Sequence, residues 1–567
     1  MRLPLEVEKA IEQEKIAAYV VGHLPIVKSY AIKIGLVDIV NKLVASEMDV
    51  DPGTVFLGMV MDTLSGRTPL YRLDEFFQDQ DTELLLGRRI NPAVFSDYNV
   101  GRVLDKAYAI GAIRIFSAIS REAVDVFEVS NRHVSFDTTS VSVYGAYDLY
   151  RDDGESSILR ITNGHSKDHR ADLKQFLVSM LCVDGNVPVF GKTEDGNGSD
   201  KTINNEILTS ISKRMALHGL EPGAFIYIAD SAMVTKKNLL AIGDGTLFIS
   251  RLPATYNECL RAIEDAIEKD QWEDLGILSS TRPTAKRPAA RYRAHESRVQ
   301  LHGKEYRAVV IHSSAHDKRR QKRIDRELKA DRKALDTQCK MVDKKDFSCL
   351  SDIQAAQEEL RKTKCKYHVL DAEIEERPKY KRGRPKGGIR EVREMRYGLI
   401  ATMTEDEESV SKLREQAGCF VMLTNVRKEG KDGYDAEDIL RAYKDQYGIE
   451  QNFGFLKDPV IVNSIFLKKP ERIEVLGLVL LLSLLIWRLI EREMRQYVER
   501  EKRDLPGWKR RRTTRPTSFM LMTNFQRTMI IKIGDDRRLN KPFTEKQMAY
   551  LVSLKVEPSA FIKPGAG

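Results

Sequence analysis

Cysteine is scarce and unpaired in this chain. Six are spread over 567 residues, at 182, 259, 339, 349, 365 and 419, with no C-x-x-C pair among them. That spacing argues against a zinc module or a disulfide framework and fits a reducing compartment. The opening residues, Met-Arg-Leu-Pro-Leu-Glu-Val-Glu-Lys, lack the apolar run of a signal peptide. The greasiest stretch, Val475 to Trp487, is 13 residues. A membrane span needs about 18, so this stretch reads as a buried helix, and a soluble, cytoplasmic protein with no membrane partner is expected. There are no internal repeats. Neither sign of charge dominates: 92 Lys and Arg face 83 Asp and Glu, a formal net charge of +9. This small basic excess is compatible with a polyanionic partner and does not by itself establish one.

What is present is enough apolar residue, 42%, to build real cores, and a length that predicts about three to five domains. Residues 1–130 read as helical, with apolar spacing over Gly53 to Leu64 and Asn99 to Phe127 and a loop at Ser65-Gly-Arg-Thr-Pro69. They form a candidate domain of their own. The texture changes near Arg132. His133 to Tyr144 alternates and is β-branched, and further strands are expected at Ile158–Thr162, Phe176–Val183, Val187–Phe190, Phe225–Asp230 and Thr246–Ser250. Asp184-Gly185 supplies a hairpin turn, and Ser199 to Leu217 reads as a helix. Strands in hairpins followed by alternating helices and strands predict an α/β fold, a mixed sheet flanked by helices, over 131–253. Residues 254–417 interrupt it with a charged helical pair, Asp317–Val342 and Ser351–Glu376, and a possible seam of Ile324, Leu328, Leu335, Cys339 and Val342. The sheet pattern resumes over 418–500, beginning at Phe420–Asn425, and 501–567 is a basic C-terminal region.

Three acids stand where side chains can converge. Asp137 is mid-strand, Asp230 ends a short apolar strand, and Glu450 lies in an apparent helix over 443–457. Tyr443, Gln446, Tyr447, Glu450 and Lys457 fall on one face of that helix, at i, i+3, i+4, i+7 and i+14. Taken singly, strand-end aspartates are turn formers and a helical glutamate is a solvated residue. Taken together they repel by about 4 kcal/mol per pair at ~4 Å and an effective dielectric of ~20. Such a site persists when cations neutralise it, and oxygen ligands at high charge favour Mg²⁺ or Mn²⁺.

The residues around these acids resemble the DDE transposases of bacterial insertion sequences, the group marked by Tyr-x2-Arg-x3-Glu-x6-Lys. Tyr443, Glu450 and Lys457 match that spacing, Phe136-Asp-Thr-Thr-Ser resembles the first-aspartate strand, and Ala229-Asp-Ser-Ala-Met resembles the second. Asn163 to Gln175 resembles the stretch that follows the first aspartate, and the likeness spans about 131–255 and 418–495. Residues 1–130 also resemble the N-terminal domain of one branch of the group. The resemblance implies a ribonuclease H-like fold split by an insertion domain. It implies two Mg²⁺ or Mn²⁺ ions on Asp137, Asp230 and Glu450, with cleavage of transposon ends and 3′-OH strand transfer into target DNA. The implied partners are double-stranded DNA, both terminal inverted repeats and target, and a second copy of the chain, in a bacterial or archaeal nucleoid. Binding of the terminal repeats would fall to residues 1–130. One position departs from the pattern: Gln446 stands where the group has Arg. A guanidinium grips phosphate with a bidentate fork, whereas an amide offers only neutral hydrogen bonds. Two alternatives share these residues: a ribonuclease H-like nuclease or resolvase without strand transfer, and a catalytically inactive, transposase-derived DNA-binding protein.

Further DNA contacts are expected at Tyr443, Gln446 and Lys457, and at His165, Lys167, Arg170 and Lys174 within the stretch after the first acid. Arg382-Gly-Arg384-Pro is the core of a minor-groove hook, and Arg510, Arg511 and Arg512 form a candidate phosphate patch. The helical pair at 317–376 interleaves acids with its bases, which favours a solvated face. Trp272 reads as a packed side chain.

Overall fold

The computed structural model describes residues 9, 16–66, 72–143, 159–164, 170, 172–198, 203, 206–208, 211, 215–216, 223–243, 245–278, 283, 288–363, 365–382, 390–458, 467 and 469–565, with the backbone alone at Tyr447 and Arg510. The protein is mixed α/β. It divides into two compact units, Met1–Ser250 with Arg441–Gly567, and Arg251–Leu440.

The first unit opens with strand β1 (Ile16–Val20) and helices α1 (Leu24–Lys33), α2 (Leu36–Leu43), α3 (Pro52–Ser65), α4 (Leu73–Gln78), α5 (Thr82–Leu86), α6 (Asp97–Ile110) and α7 (Ala112–Val126). Asp51 caps α3 by accepting from the Thr54 amide at 2.8 Å, which satisfies one of the orphan donors of a helix start. The single helix expected over Asn99–Phe127 is two, because Gly111 between them has φ +96°, outside the helical region.

A sheet follows, of β2 (His133–Val143), β3 (Lys174–Val183), β4 (Val187–Glu194), β5 (Ile226–Ala229) and β6 (Leu247–Arg251). Its order in this unit is β4-β3-β2-β5-β6. β2, β3 and β4 pair antiparallel, and β5 and β6 continue parallel to β2. The hairpin expected at Asp184-Gly185 joins β3 to β4, with Gly185 and Asn186 both at positive φ. The strand expected at Ile158–Thr162 is reduced, among described residues, to one bridge from Thr162 to Gln175. Helix α8 (Lys236–Ile242) lies between β5 and β6, and the described positions of the expected 199–217 helix are helical. α7 packs on β4, and Ser120 Oγ donates to the Val189 carbonyl at 2.9 Å.

The second unit contains α9 (Asn257–Lys269), β7 (Glu273–Ile277), β8 (Arg291–Leu301), β9 (Lys304–Ser313), α10 (Ser314–Asp343), β10 (Asp346–Phe347), α11 (Leu350–Arg361), β11 (His368–Tyr380), β12 (Val392–Glu405), α12 (Glu407–Glu415) and β13 (Cys419–Thr424). Here β13-β9-β8-β7 form one sheet run and β10-β12-β11 another. The second member of the expected helical pair stops at Arg361, and residues 368–376 are strand, not helix. The expected seam is buried: Leu335 and Cys339 pack with Ile353, Leu360, Leu370 and Leu399, while Ile324 and Leu328 pack with Tyr367 and Val410. Its partner is therefore this unit's own sheet and short helices. Trp272 is packed, with the Arg293 guanidinium 4.7 Å over its ring.

Helix α13 (Ala436–Asp445) leads to α14 (Tyr447–Lys457) and then α15 (Pro470–Glu501), followed by β14 (Leu505–Pro506), β15 (Arg512–Thr513), α16 (Ser518–Phe525), β16 (Met529–Ile533), β17 (Asp536–Leu539) and α17 (Glu545–Leu554). Among the described residues α15 alone is long and apolar enough to cross a membrane, and 94% of its apolar window is buried inside the protein. It packs against α3, α6, α7 and β4, and Arg472 grips Asp105 of α6 through two bonds of 2.8 and 2.7 Å. The helices expected to stand as a separate 1–130 domain thus share a core with the sheet, because α15 supplies the apolar face they bury. The two ends of the chain also meet: β1 pairs antiparallel with β16, and Arg537 binds Asp81 at 2.7 Å and Glu83 at 2.6 Å.

Candidate active site

The sheet register brings two of the three acids together. β2 and β5 are parallel, with His133 opposite Ile226 and Ser135 opposite Ile228. Two residues further along the chain come Asp137, within β2, and Asp230, the first residue past the end of β5, which keeps extended backbone at φ −71°, ψ 177°. Neighbouring strands lie about 4.8 Å apart, so the two carboxylates emerge level on adjacent strands in the middle of the sheet. Asp137 is half-buried, and its Oδ1 accepts from the Thr138 amide at 2.7 Å. Asp230 is exposed and caps the next turn, Oδ1 accepting from the Ala232 amide at 3.1 Å, while its carbonyl accepts from Ser250 Oγ at 2.8 Å. Burial first, then the Asp230 and Asp137 carboxylates, raise the Tyr227 hydroxyl well above its usual range, which places both charges close to one buried ring.

Glu450 reaches this region by another route. The helix expected over 443–457 is broken at Gln446 into α13 and α14, so Tyr443 stands on one helix and Glu450 and Lys457 on the next. α14 packs against β2. Its seat is set by Asn452, fully buried, which donates to the Asn186 carbonyl at 3.0 Å and accepts from Arg488 Nε at 2.5 Å. Gly448 lets the start of α14 close on the β3–β4 turn, since a Cβ there would sit 1.8 Å from Asn186 Nδ2. Arg488 also donates to Glu491 at 3.1 Å, and Arg492 donates to Asp184 at 3.1 Å and to the Phe127 carbonyl at 3.0 Å. α15 therefore ties α14, the β3–β4 turn and the end of α7 into one buried polar cluster. None of these anchoring residues is among the expected site residues. Their signal was there: Arg488, Glu491 and Arg492 recur at i, i+3 and i+4 directly after the apolar run. Burial pushes the Cys182 thiol in this cluster up to about 12, against the hydrogen bond from Asn452, so it stays a protonated packing group.

Glu450 itself is exposed on α14, with Gln451 and Gly454. Among the described residues no three or more His, Cys, Asp and Glu gather closely enough to hold a metal ion. The level aspartates by themselves fit one hard cation: Mg²⁺ is commonly held by one or two carboxylates, with substrate phosphate and water filling the remaining positions.

The expected DNA contacts are dispersed. His165, Lys167 and Arg384 lie outside the described residues. Arg170 is exposed and forks onto Asp172 through two bonds of 2.8 Å. Lys174 is half-buried at the start of β3, and Tyr443, Gln446 and Lys457 are half-buried along α13 and α14. Arg382 is exposed just past β11. Arg511 and Arg512 are exposed around the β14–β15 pair, and the Arg510 side chain lies outside the described set.

Comparison with known proteins adds one match. Residues 16–121, from β1 to within α7, match DUF4277, a domain of unknown function. No curated protein matches the chain.

Proposed function

We propose that this chain is a metal-dependent DNA transposase of the DDE type, acting as a homodimer on double-stranded DNA. The observation that carries the reading is the level pair Asp137 and Asp230 on adjacent parallel strands. Three further features support it. The β4-β3-β2-β5-β6 order, an antiparallel meander followed by two parallel strands, is the arrangement expected of a ribonuclease H-like sheet. A separate unit, Arg251–Leu440, is inserted between Asp230 and Glu450. The Tyr443, Glu450 and Lys457 spacing matches the group's motif.

In this reading Asp137 and Asp230 hold Mg²⁺ or Mn²⁺, and Glu450 completes the site once DNA is engaged. The bound ions supply charge neutralisation at the phosphodiester and activation of the attacking oxygen. Lys457 carries the cationic contact to phosphate that Gln446, a neutral amide, cannot provide. Residues 1–130 recognise the terminal repeats. Their shared core makes deletion a poor test, because it would strip α15 bare.

The test is end cleavage and plasmid strand transfer with Mg²⁺ by Asp137→Ala, Asp230→Ala and Glu450→Ala. Each is expected to lose cleavage while holding DNA as tightly as the parent. Cleavage surviving in any one of them overturns the triad, and cleavage without strand transfer turns the assignment to a nuclease.

A further inference from the structure

The 30-residue helix α10 reads as mixed charge, yet the fold sorts its charges by side. Most of its acids are held by its own unit; the exception is Asp336, exposed and paired with Lys340 of the same helix at 2.7 Å. Glu327 accepts from Tyr367 Oη, from Arg323 at 2.6 Å and from Lys366 at 2.9 Å. Asp331 lies 2.8 Å from His368 Nδ1, Asp325 accepts from Arg414 at 2.8 Å, and Asp343 accepts from the Ala401 amide at 2.8 Å. Two of the helix's bases, Arg323 and Lys340, are paired with its own acids; of the other eight, Lys318, Arg320 and Arg332 stand apart, and five line up: Arg319, Lys322, Arg326, Lys329 and Lys333. They recur at i, i+3, i+7, i+10 and i+14, one stripe of a helix. All five are exposed, on the side away from buried Ile324, Leu328, Leu335 and Cys339. Among the described residues none of the five forms a salt bridge. Arg319 and Arg326 donate only to carbonyls of their own helix, at 3.3 and 3.4 Å.

We infer that this stripe of α10 is a docking surface for the phosphate backbone of duplex DNA, read without regard to sequence. The match is one of charge and length. At about 1.5 Å per residue the five cations span about 21 Å, and a duplex carries one negative charge per about 1.7 Å of axis. Cations already paired with carboxylates would gain little from such a polyanion. These five have no carboxylate to give up. The choice of DNA as the polymer rests on the function proposed above; the unpaired stripe does not.

The experiment uses the full chain and a random-sequence duplex, with affinity followed by anisotropy as salt is raised. Replacing Arg319, Lys322, Arg326, Lys329 and Lys333 together by Gln should weaken binding at least about tenfold and flatten the log–log salt slope by about 4. A milder variant, Lys322→Gln with Arg326→Gln and Lys329→Gln, should flatten it by about 3. The control is Lys362→Gln with Lys412→Gln, cations already paired with Glu358 and Glu408, which should leave the slope alone. An unchanged slope in both stripe variants overturns the inference and leaves the DNA-acting enzyme standing. A parent that binds no duplex overturns both. Stripe variants that lose duplex binding in a protein whose parent cuts nothing uphold the inference and sink the enzyme. Loss of binding to anionic phospholipid vesicles with duplex binding intact would assign the stripe to a membrane and overturn it.

Discussion

The first unit buries charge and the second displays it. In the first, Arg488 and Glu491 are 4% and 3% exposed, and they hold Asn452, α14 and α15 in one register. In the second, Lys412–Glu408 and Lys362–Glu358 lie in the open on helix surfaces, and α10 turns a whole row of bases outward. Water decides the difference. A buried ion must find fixed partners or cost several kcal/mol, so it specifies geometry. An exposed ion is already solvated, so pairing it adds little and leaving it unpaired costs little. The buried set suits positioning of a site, and the exposed set suits a polyanion.

That contrast can be broken most severely at Glu491. Glu491→Ala leaves Arg488 buried without its carboxylate, and Arg495 loses the same partner. The expected loss of stability in denaturant unfolding is about 3–5 kcal/mol. Arg488→Met with Glu491→Leu should lose much less, since both charges go together. A single mutant no less stable than the parent would show that the cluster is not a structural constraint.

His23 sharpens the comparison through pH. It is buried in the first unit, and desolvation lowers its pKa from 6.5 to about 4, against a hydrogen bond to the Leu64 backbone. The unfolded chain therefore binds this proton at higher pH than the folded one. Stability is fully present above pH 6.5 and is lost as pH falls toward 4, by up to about 3 kcal/mol. His23→Gln should remove that part of the acid sensitivity in unfolding curves collected across this window. An unaltered pH profile would mean His23 is not the group responsible.

The smallest effect belongs to the second unit. Lys412→Ala should leave the thermal midpoint where it was, because its pair with Glu408 is exposed on both sides. A clear drop in the midpoint would erase the distinction between the two units.

Local pattern made much of this legible. β2, β3, β4, β5, β6 and β13 lie within a few residues of their expected spans, because alternation and β-branching are read one strand at a time. The β8–β9 hairpin lies outside the expected elements, although His302-Gly303, both at positive φ, is a two-residue turn between alternating strands. Residues 368–376 are as charged as the α11 helix before them and read as its continuation, yet they form the start of β11. Their partner, β12, begins more than ten residues further on. The break at Gln446 has no mark in the sequence: the helical spacing of 443–457 is intact, and Gln446 keeps helical backbone angles, φ −55° and ψ −28°, where one helix gives way to the next.

The sequence by itself determined the element types of the first sheet, the hairpin at Asp184-Gly185, the buried character of 475–487 and the three acids with their spacing, since each depends on neighbours along the chain. Tertiary structure alone decided which of those acids meet. It set Asp137 level with Asp230 through a parallel register between residues 93 positions apart, as His133 is from Ile226, and it hung Glu450 from Asn452 and Arg488. It also decided which charges of α10 face inward. Both outcomes depend on desolvation, and only the folded chain fixes which groups lose their water.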